Sequence, residues 1–339
     1  MWNIVILAAF VLMVLTWTVS HGFGFSEVSG FDARLALRKA VLFLMFIWML
    51  AYPLALPVRV LIFFAVFGTI LGGIIALTGE PIQLGGHSRL ATITGGLTQM
   101  HPSARFIAVQ IILLDVLRRA GLLMPKFAWP LILFGIAILI GYLGRNELVF
   151  VGIYYCSLMY FRYRHEPAIK WSILPIGGLI VVAAVVALLT GTNVQDYGSG
   201  RIGTWQHRLG LIWDRDFITF LVGGGVNSDF IFTPQWDFAE AFQSHNDFIH
   251  YMMENGLLGL IALCALFGAL WGRLPETGKA ILLGVIATSF FDNGFLQQPL
   301  LALNLALVLA LSILGWQLKH LSGTVERPGS GGRTAATTG

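Results

Sequence analysis

The stretch Gln243-Ser244-His245-Asn246-Asp247-Phe248-Ile249-His250-Tyr251-Met252-Met253-Glu254-Asn255-Gly256-Leu257-Leu258-Gly259 joins a polar, titratable cluster to an apolar run. The apolar part reads as a span over 247–272, because crossing the hydrocarbon takes about 20 mainly apolar residues. The polar mouth is not needed to cross a bilayer. It sets His245, Asn246, Asp247 and Glu254 where desolvation makes each polar group costly, and such residues mark function.

The rest of the chain agrees with that reading. Of 339 residues, 57% are hydrophobic and 11% charged, with a mean hydropathy of +0.79. A soluble domain carries about 25% charged residues. The expectation is an all-α polytopic membrane protein. The net charge of +4 comes from Arg and Lys between apolar runs and is not a nucleic-acid signature. Cys156 and Cys264 both lie inside apolar runs, which argues against a disulfide framework. The run Ile4 to Val19 has no Lys or Arg before it and no small-residue cleavage site after it, so it reads as a retained span.

About ten spans are expected, near 2–20, 38–56, 58–78, 104–119, 127–143, 147–162, 171–190, 247–272, 278–295 and 298–317. They divide the chain into an N-terminal bundle (1–190), a long loop (191–246), C-terminal membrane helices (247–320) and a Gly/Thr/Ser-rich tail (321–339) expected to be disordered. Lys and Arg mark the cytoplasmic side of short loops. Arg118, Arg119 and Lys126 form one such loop, Arg162, Arg164 and Lys170 the next, and Arg273 with Lys279 a third; Lys319, Arg327 and Arg333 follow on the tail. The loop with Arg34, Arg38 and Lys39 breaks the rule. The opposite, extracytoplasmic side then receives 79–103, the turn at Arg145 and the long loop.

Within that loop, Ile202, Trp205, Leu209 and Ile212 follow helical spacing. Arg201, Arg208 and Arg215 recur every seven residues beside them. The pattern reads as an interfacial helix with Trp inward and arginines near lipid phosphates. Gly223-Gly224-Gly225 is either a turn or a place where backbone N–H groups approach a ligand.

At the mouth, Ser244 and Asp247 read as a capping box, which puts His245 in the first helical turn. There the helix dipole favours anions and a neutral imidazole able to take a proton. The plain alternative for His245 is a capping or packing histidine. His250 can pair with Glu254 at i,i+4. A metal site from His245, His250 and Glu254 would depart from H-E-x-x-H spacing and lacks cysteine support. Arg145 sits between two apolar runs, either snorkelling, pairing with Glu147, or forming a buried anion site; Arg suits phosphate through its planar fork. Arg89, among glycines, reads equally as an anion ligand or as loop solvation.

These residues together resemble the O-antigen ligase and Wzy-type polysaccharide polymerase superfamily of bacterial membrane glycosyltransferases. The likeness runs from about Arg89 to Leu260. Arg89, then Gly95 or Gly96 and His101-Pro102-Ser103, resembles the family's R…G…(H/N)-P-N segment, with Ser for Asn. Gly144-Arg145 is similar to its Ser-Arg step, with Gly for Ser. Ser199-Gly200-Arg201 with Trp205 resembles the start of its large periplasmic loop, and Gly223-Gly224-Gly225 its G-x-G turn. His245-Asn246 with Glu254 and Gly256 resembles its H-N…E-x-G-x-x-G signature.

The resemblance implies a GT-C-type bundle with one long extracytoplasmic loop in a bacterial inner membrane, its site facing the periplasm. It implies metal-independent, inverting transfer of an oligosaccharide from undecaprenyl diphosphate to an acceptor hydroxyl, without a cofactor. Diphosphate binding falls to Arg145 and Arg201, with Arg89 as a third cation, and acceptor activation to His245; Asn246, Glu254, Gly256 and Trp205 support them. The implied partners are the lipid-linked donor, a glycan or lipid A-core acceptor, membrane lipids and other polysaccharide-assembly proteins, not nucleic acid. A polymerase of exopolysaccharide or O-antigen repeats is the first expectation and the ligase to lipid A-core the second. A transporter or flippase would instead gather ionisable residues at the bilayer midplane.

Overall fold

Runs of Leu, Ile, Val and Phe satisfy their own backbone polar groups by forming helices, and the computed structural model is mostly helical. It describes residues 2–22, 41, 44, 58–84, 87–90, 100–142, 145–166, 201–226, 228–231, 244–290 and 299–325. In chain order the helices are α1 (Trp2–Gly22), α2 (Val58–Thr78), α3 (Met100–Arg119), α4 (Pro125–Gly141), α5 (Arg145–Tyr163), α6 (Arg201–Trp213), α7 (Phe217–Val222), α8 (Asp247–Arg273), α9 (Glu276–Ser289) and α10 (Pro299–Val325). A small antiparallel hairpin, β1 (Ile82–Leu84) and β2 (His87–Arg89), pairs Ile82 with Arg89 and Leu84 with His87.

Two of these helices, α2 and α8, are long and apolar enough to cross a membrane by length and composition. Helical counterparts exist for the expected spans except 38–56 and 171–190, which lie outside the described residues apart from 41 and 44. Arg34, Arg38 and Lys39 also lie outside them. The C-terminal helix runs to Val325, past the expected start of the tail at 321.

Small residues let the helices approach closely, as between membrane helices, where apolar burial alone gives little drive. A methyl at Gly135 would meet Ile111 at 2.8 Å, and one at Gly284 would meet Phe150 at 2.6 Å. The helix α1 lies along α8, α5 along α9, and α3 against α2, α4, α5 and α10. Both α5 and α9 have their directions fixed by contacts: Phe150 faces Gly284, and Arg164 pairs with Glu276 at 3.0 Å. They are antiparallel. By contrast α3 and α5 are parallel, since Arg105 pairs with Glu147 and Tyr154 donates to Asp115.

Two poles follow. One carries the end of α3 with Arg118 and Arg119, the start of α9 and the ends of α5 and α8. A cavity of about 360 Å³ there is lined by Arg119, Glu276, Lys279 and Trp316 among others. Of the basic residues expected on one side of the membrane, Arg118, Arg119, Arg162, Arg164, Arg273 and Lys279 lie at this pole, while Lys170, Arg327 and Arg333 lie outside the described residues. The other pole carries the starts of α3, α5 and α8 and the end of α9.

Candidate active site

The mouth of α8 is a short strap, Ser244-His245-Asn246, fixed from three directions. Asn246 is the N-cap: its side-chain oxygen accepts from the N–H groups of Phe248 and Ile249, and its amide donates to the Phe290 carbonyl at the end of α9 (3.0 Å). Ser244 donates its backbone N–H and its hydroxyl to one oxygen of Asp229, at 2.9 and 2.8 Å. Its carbonyl accepts from Trp205 Nε1–H on α6 at 2.7 Å. Between them His245 is half-buried at a φ of 52°. For a residue with a Cβ this left-handed conformation costs about 1–2 kcal/mol.

This corrects the expected capping box. Asn246, not Ser244, caps the helix, so α8 begins at Asp247 and His245 precedes the first turn. The Ser244 hydroxyl is turned to Asp229 instead and donates its proton there. The N–H groups of Phe248 and Ile249 go to Asn246, so the mouth offers fewer free donors than a bare helix start. Asp247, fully buried, accepts instead from the Ser289 hydroxyl at 2.8 Å.

Behind the strap lies a buried quartet. Arg208 is 0% exposed, Asp229 0%, His250 2% and Glu254 1%. Arg208 Nε donates to Asp229 Oδ1 at 3.2 Å, and its Nη2 reaches the Ile231 carbonyl at 3.1 Å. His250 Nδ1 lies 3.0 Å from Asp229 Oδ2, and His250 Nε2 lies 3.2 Å from Glu254. The expected i,i+4 pairing of His250 with Glu254 is present. The solvated arginine stripe is not: Arg208 is among the most buried side chains, while Leu209, assigned to the inward face, is 42% exposed. Burial lowers the Arg208 pKa, and Asp229 offsets part of that shift.

The glycines serve the backbone. At Gly256 the helix departs from helical geometry, with φ 64° and ψ −164°. A side chain at Gly256 would strike the Leu221 carbonyl, and one at Gly223 the Glu254 carbonyl. Carbonyls around the kink find donors outside α8. Met253 accepts from Gly224 N–H (2.8 Å) and Glu254 from Gly225 N–H (3.1 Å). Ser228 donates its hydroxyl to Met253 at 2.9 Å, and Arg215 reaches Met252 and Met253 at 3.3 and 3.0 Å. The N–H groups of Gly224 and Gly225 are thus used by α8 rather than offered to a ligand.

Arg145, Arg201 and Arg89 have described backbones, and their side chains lie outside the described residues. Arg145 opens α5. Five residues before Phe150 is Arg145, and five after Gly284 is Ser289, so the antiparallel register sets the start of α5 level with the end of α9. Ser289 bonds Asp247, which brings the start of α5 to the pole of the strap. Arg201 opens α6 and shares a helical face with Trp205 and Arg208 at i+4 and i+7, the two residues that bond Ser244 and Asp229. Arg89 ends β2 beside Leu90, which packs at Gly141, the last residue of α4.

Three contributors were missed in the sequence. Asp229 is a lone carboxylate beyond the glycines, with no spacing to flag it. Arg105, 3% exposed and paired with Glu147 at 3.2 Å, follows His101-Pro102-Ser103 at the start of an apolar run, a position that could have marked it. Asn255 donates to Thr16 of α1 at 2.9 Å, clamping α8 beside the kink. Among the described residues no group of three or more His, Cys, Asp or Glu is arranged to hold a metal ion. In comparisons with known proteins, no family model and no curated protein matches the chain.

Proposed function

We propose that the chain is a multi-span glycosyltransferase of surface-polysaccharide assembly, with a GT-C-type bundle of about ten spans, acting from a bacterial inner membrane on its periplasmic side. In this reading it polymerises oligosaccharide repeats carried on undecaprenyl diphosphate. The reading rests chiefly on one observation: the helix starts that carry Arg145 and Arg201 lie at the same pole as the strap that carries His245, although they come from distant parts of the chain. The resemblance of their motifs supplies the chemistry. The uninterrupted apolar stretch of α8 begins at the Gly256 kink, and in this reading the turns from Asp247 to Glu254 are the end that meets the lipid diphosphate.

The chemistry is a single displacement. His245 accepts the proton of the acceptor hydroxyl as its oxygen bonds the anomeric carbon of the donor. The bond from that carbon to the diphosphate oxygen breaks, and the diphosphate leaves with the electron pair. Arg145 and Arg201, with Arg89, stabilise the charge that develops on it, and a positioned base together with fixed cations suits this step.

The test uses purified protein and lipid-linked repeat units in the presence of EDTA, with glycan length as readout. Wild type is expected to extend the glycan, His245→Ala to lose about 10²–10⁴-fold, and Arg145→Ala and Arg201→Ala each to weaken donor use. Full activity in His245→Ala would remove the assigned base. Reporter fusions within 201–231 are expected to give extracytoplasmic signal, and a cytoplasmic signal would overturn the orientation.

A further inference from the structure

The displacement above leaves the quartet behind the strap without a task. We propose that Asp229 and His250 are positioning residues that hold the His245 strap in its working conformation, an inference that rests on the reading of His245 as the base.

The hydrogen bonds carry the argument. One oxygen, Asp229 Oδ2, collects three groups: Ser244 N–H at 2.9 Å, Ser244 Oγ–H at 2.8 Å and His250 Nδ1 at 3.0 Å. The other oxygen faces Arg208 Nε. The carboxylate therefore has little freedom to turn, and Ser244 is bound to it twice, immediately before His245. Trp205 takes the Ser244 carbonyl, so Ser244 is held at both its N–H and its C=O. Asn246 fixes the peptide on the other side through the cap and Phe290. A histidine at φ 52° persists only where the surroundings over-determine it, and these contacts do so.

The inner pair holds Asp229 in turn. Both ring nitrogens of His250 face carboxylate oxygens, Asp229 and Glu254. A ring with an N–H on each nitrogen satisfies both. Two cations, Arg208 and His250, then balance two carboxylates, the condition under which charges tolerate full burial. Burying such a group is weak evidence for stability, whereas its attachment to the candidate base is specific. It also joins three segments: α6 through Arg208, the turn after Gly225 through Asp229, and α8 through His250 and Glu254.

The experiment measures kcat and donor KM separately for Asp229→Asn, His250→Gln and Ser244→Ala. It also follows amide hydrogen exchange over Ser244–Asn246 in the purified full-length protein. Asp229→Asn and His250→Gln are expected to lower kcat about 10–100-fold, the usual effect of removing a partner behind a functional ligand, with donor KM within about twofold. Exchange at the strap should rise in both, and the double variant should lose no more than the worse single one. Ser244→Ala, which removes only a hydroxyl, keeps the test open if the others fold poorly and should show a smaller loss of kcat with the same faster exchange. Unchanged kcat and unchanged exchange in His250→Gln and Ser244→Ala would overturn the proposal. So would a rise in KM alone, which would move the quartet to donor binding. The exchange arm does not depend on the chemistry assigned to His245, so full activity in His245→Ala would sink the base reading while leaving strap positioning separately decided.

Discussion

Among the described residues, a buried aspartate at each pole gathers basic side chains, and the two do it differently. Asp115, 0% exposed, accepts from Arg118 at 2.5 Å and Arg119 at 2.6 Å, three and four residues on in the same helix, and from Tyr154 at 2.7 Å. Its cations stay 17% and 34% exposed and run their heads toward the surface, Arg118 across Trp129. Among the described residues, the side-chain partners of Asp229 are all remote in sequence. Its basic partners, Arg208 and His250, are fully enclosed and come from separate helices, 21 residues away on either side. A local cluster forms once its helix forms and asks little of the fold. A cluster of remote, enclosed charges exists only if several segments are held together, and here it is tied to the strap.

The sharpest way to break this comparison is to remove each carboxylate in turn. Asp229→Ala leaves Arg208 and His250 enclosed without their common partner. Breaking a buried pair this way costs about 3–5 kcal/mol. Asp115→Ala leaves cations that can reach water, and about 1–3 kcal/mol is expected from the lost bonds. Thermal unfolding in one detergent should rank the two accordingly. Transfer activity per folded molecule should fall in Asp229→Ala and hold in Asp115→Ala. Equal destabilisation with equal activity would mean that the clusters do the same job.

The contrast also explains what could be read in advance. The helices were legible because apolar runs and the charges between them are local properties. So were the i,i+4 pairing of His250 with Glu254 and the gathering of Arg118, Arg119, Arg164 and Lys279 at one pole. The Asp229 cluster was not, because its parts share no spacing. Arg208 sits seven residues from Arg201 and from Arg215, which reads as a stripe facing water, and only its tertiary partner turns it inward. The cap was ambiguous for a related reason. Ser244 and Asn246 are both capping residues, and Ser244 is engaged by Asp229, a contact that no local pattern shows. Arg145 and Arg201 were chosen from the sequence, and the helices that they open begin at the pole of the strap.

The kink at Gly256 sharpens the comparison within α8, because it separates the turns that carry Asp247, His250 and Glu254 from the uninterrupted apolar stretch after it. Gly256→Ala meets a positive φ and the Leu221 carbonyl at once. A loss of about 1–3 kcal/mol is expected, with weaker strap protection because Met253 and Glu254 carbonyls would leave Gly224 and Gly225. At Gly268, where a methyl would meet nothing within 4 Å, the same change should be neutral or slightly stabilising, since Ala is the better helix former. Matching losses at the two positions would show that the kink has no special role.

The smallest effect is expected where charges pair at the surface of the basic pole. Arg164 and Glu276 lie 3.0 Å apart with side chains 43% and 50% exposed. Water screens such a pair, and its two long side chains lose freedom when they meet, so exposed pairs contribute about 0–1 kcal/mol. Arg164→Ala should therefore leave the thermal midpoint within about a degree or two of wild type and leave transfer unchanged. Raising the salt concentration to about 1 M should shrink even that difference, because the screening length then falls to roughly 3 Å, the separation of the pair. The same salt series should leave the gap between Asp229→Ala and wild type nearly intact, since enclosed charges are screened far less. A salt-sensitive Asp229 effect would mean that the quartet is open to water, and the distinction between the poles would then be one of degree.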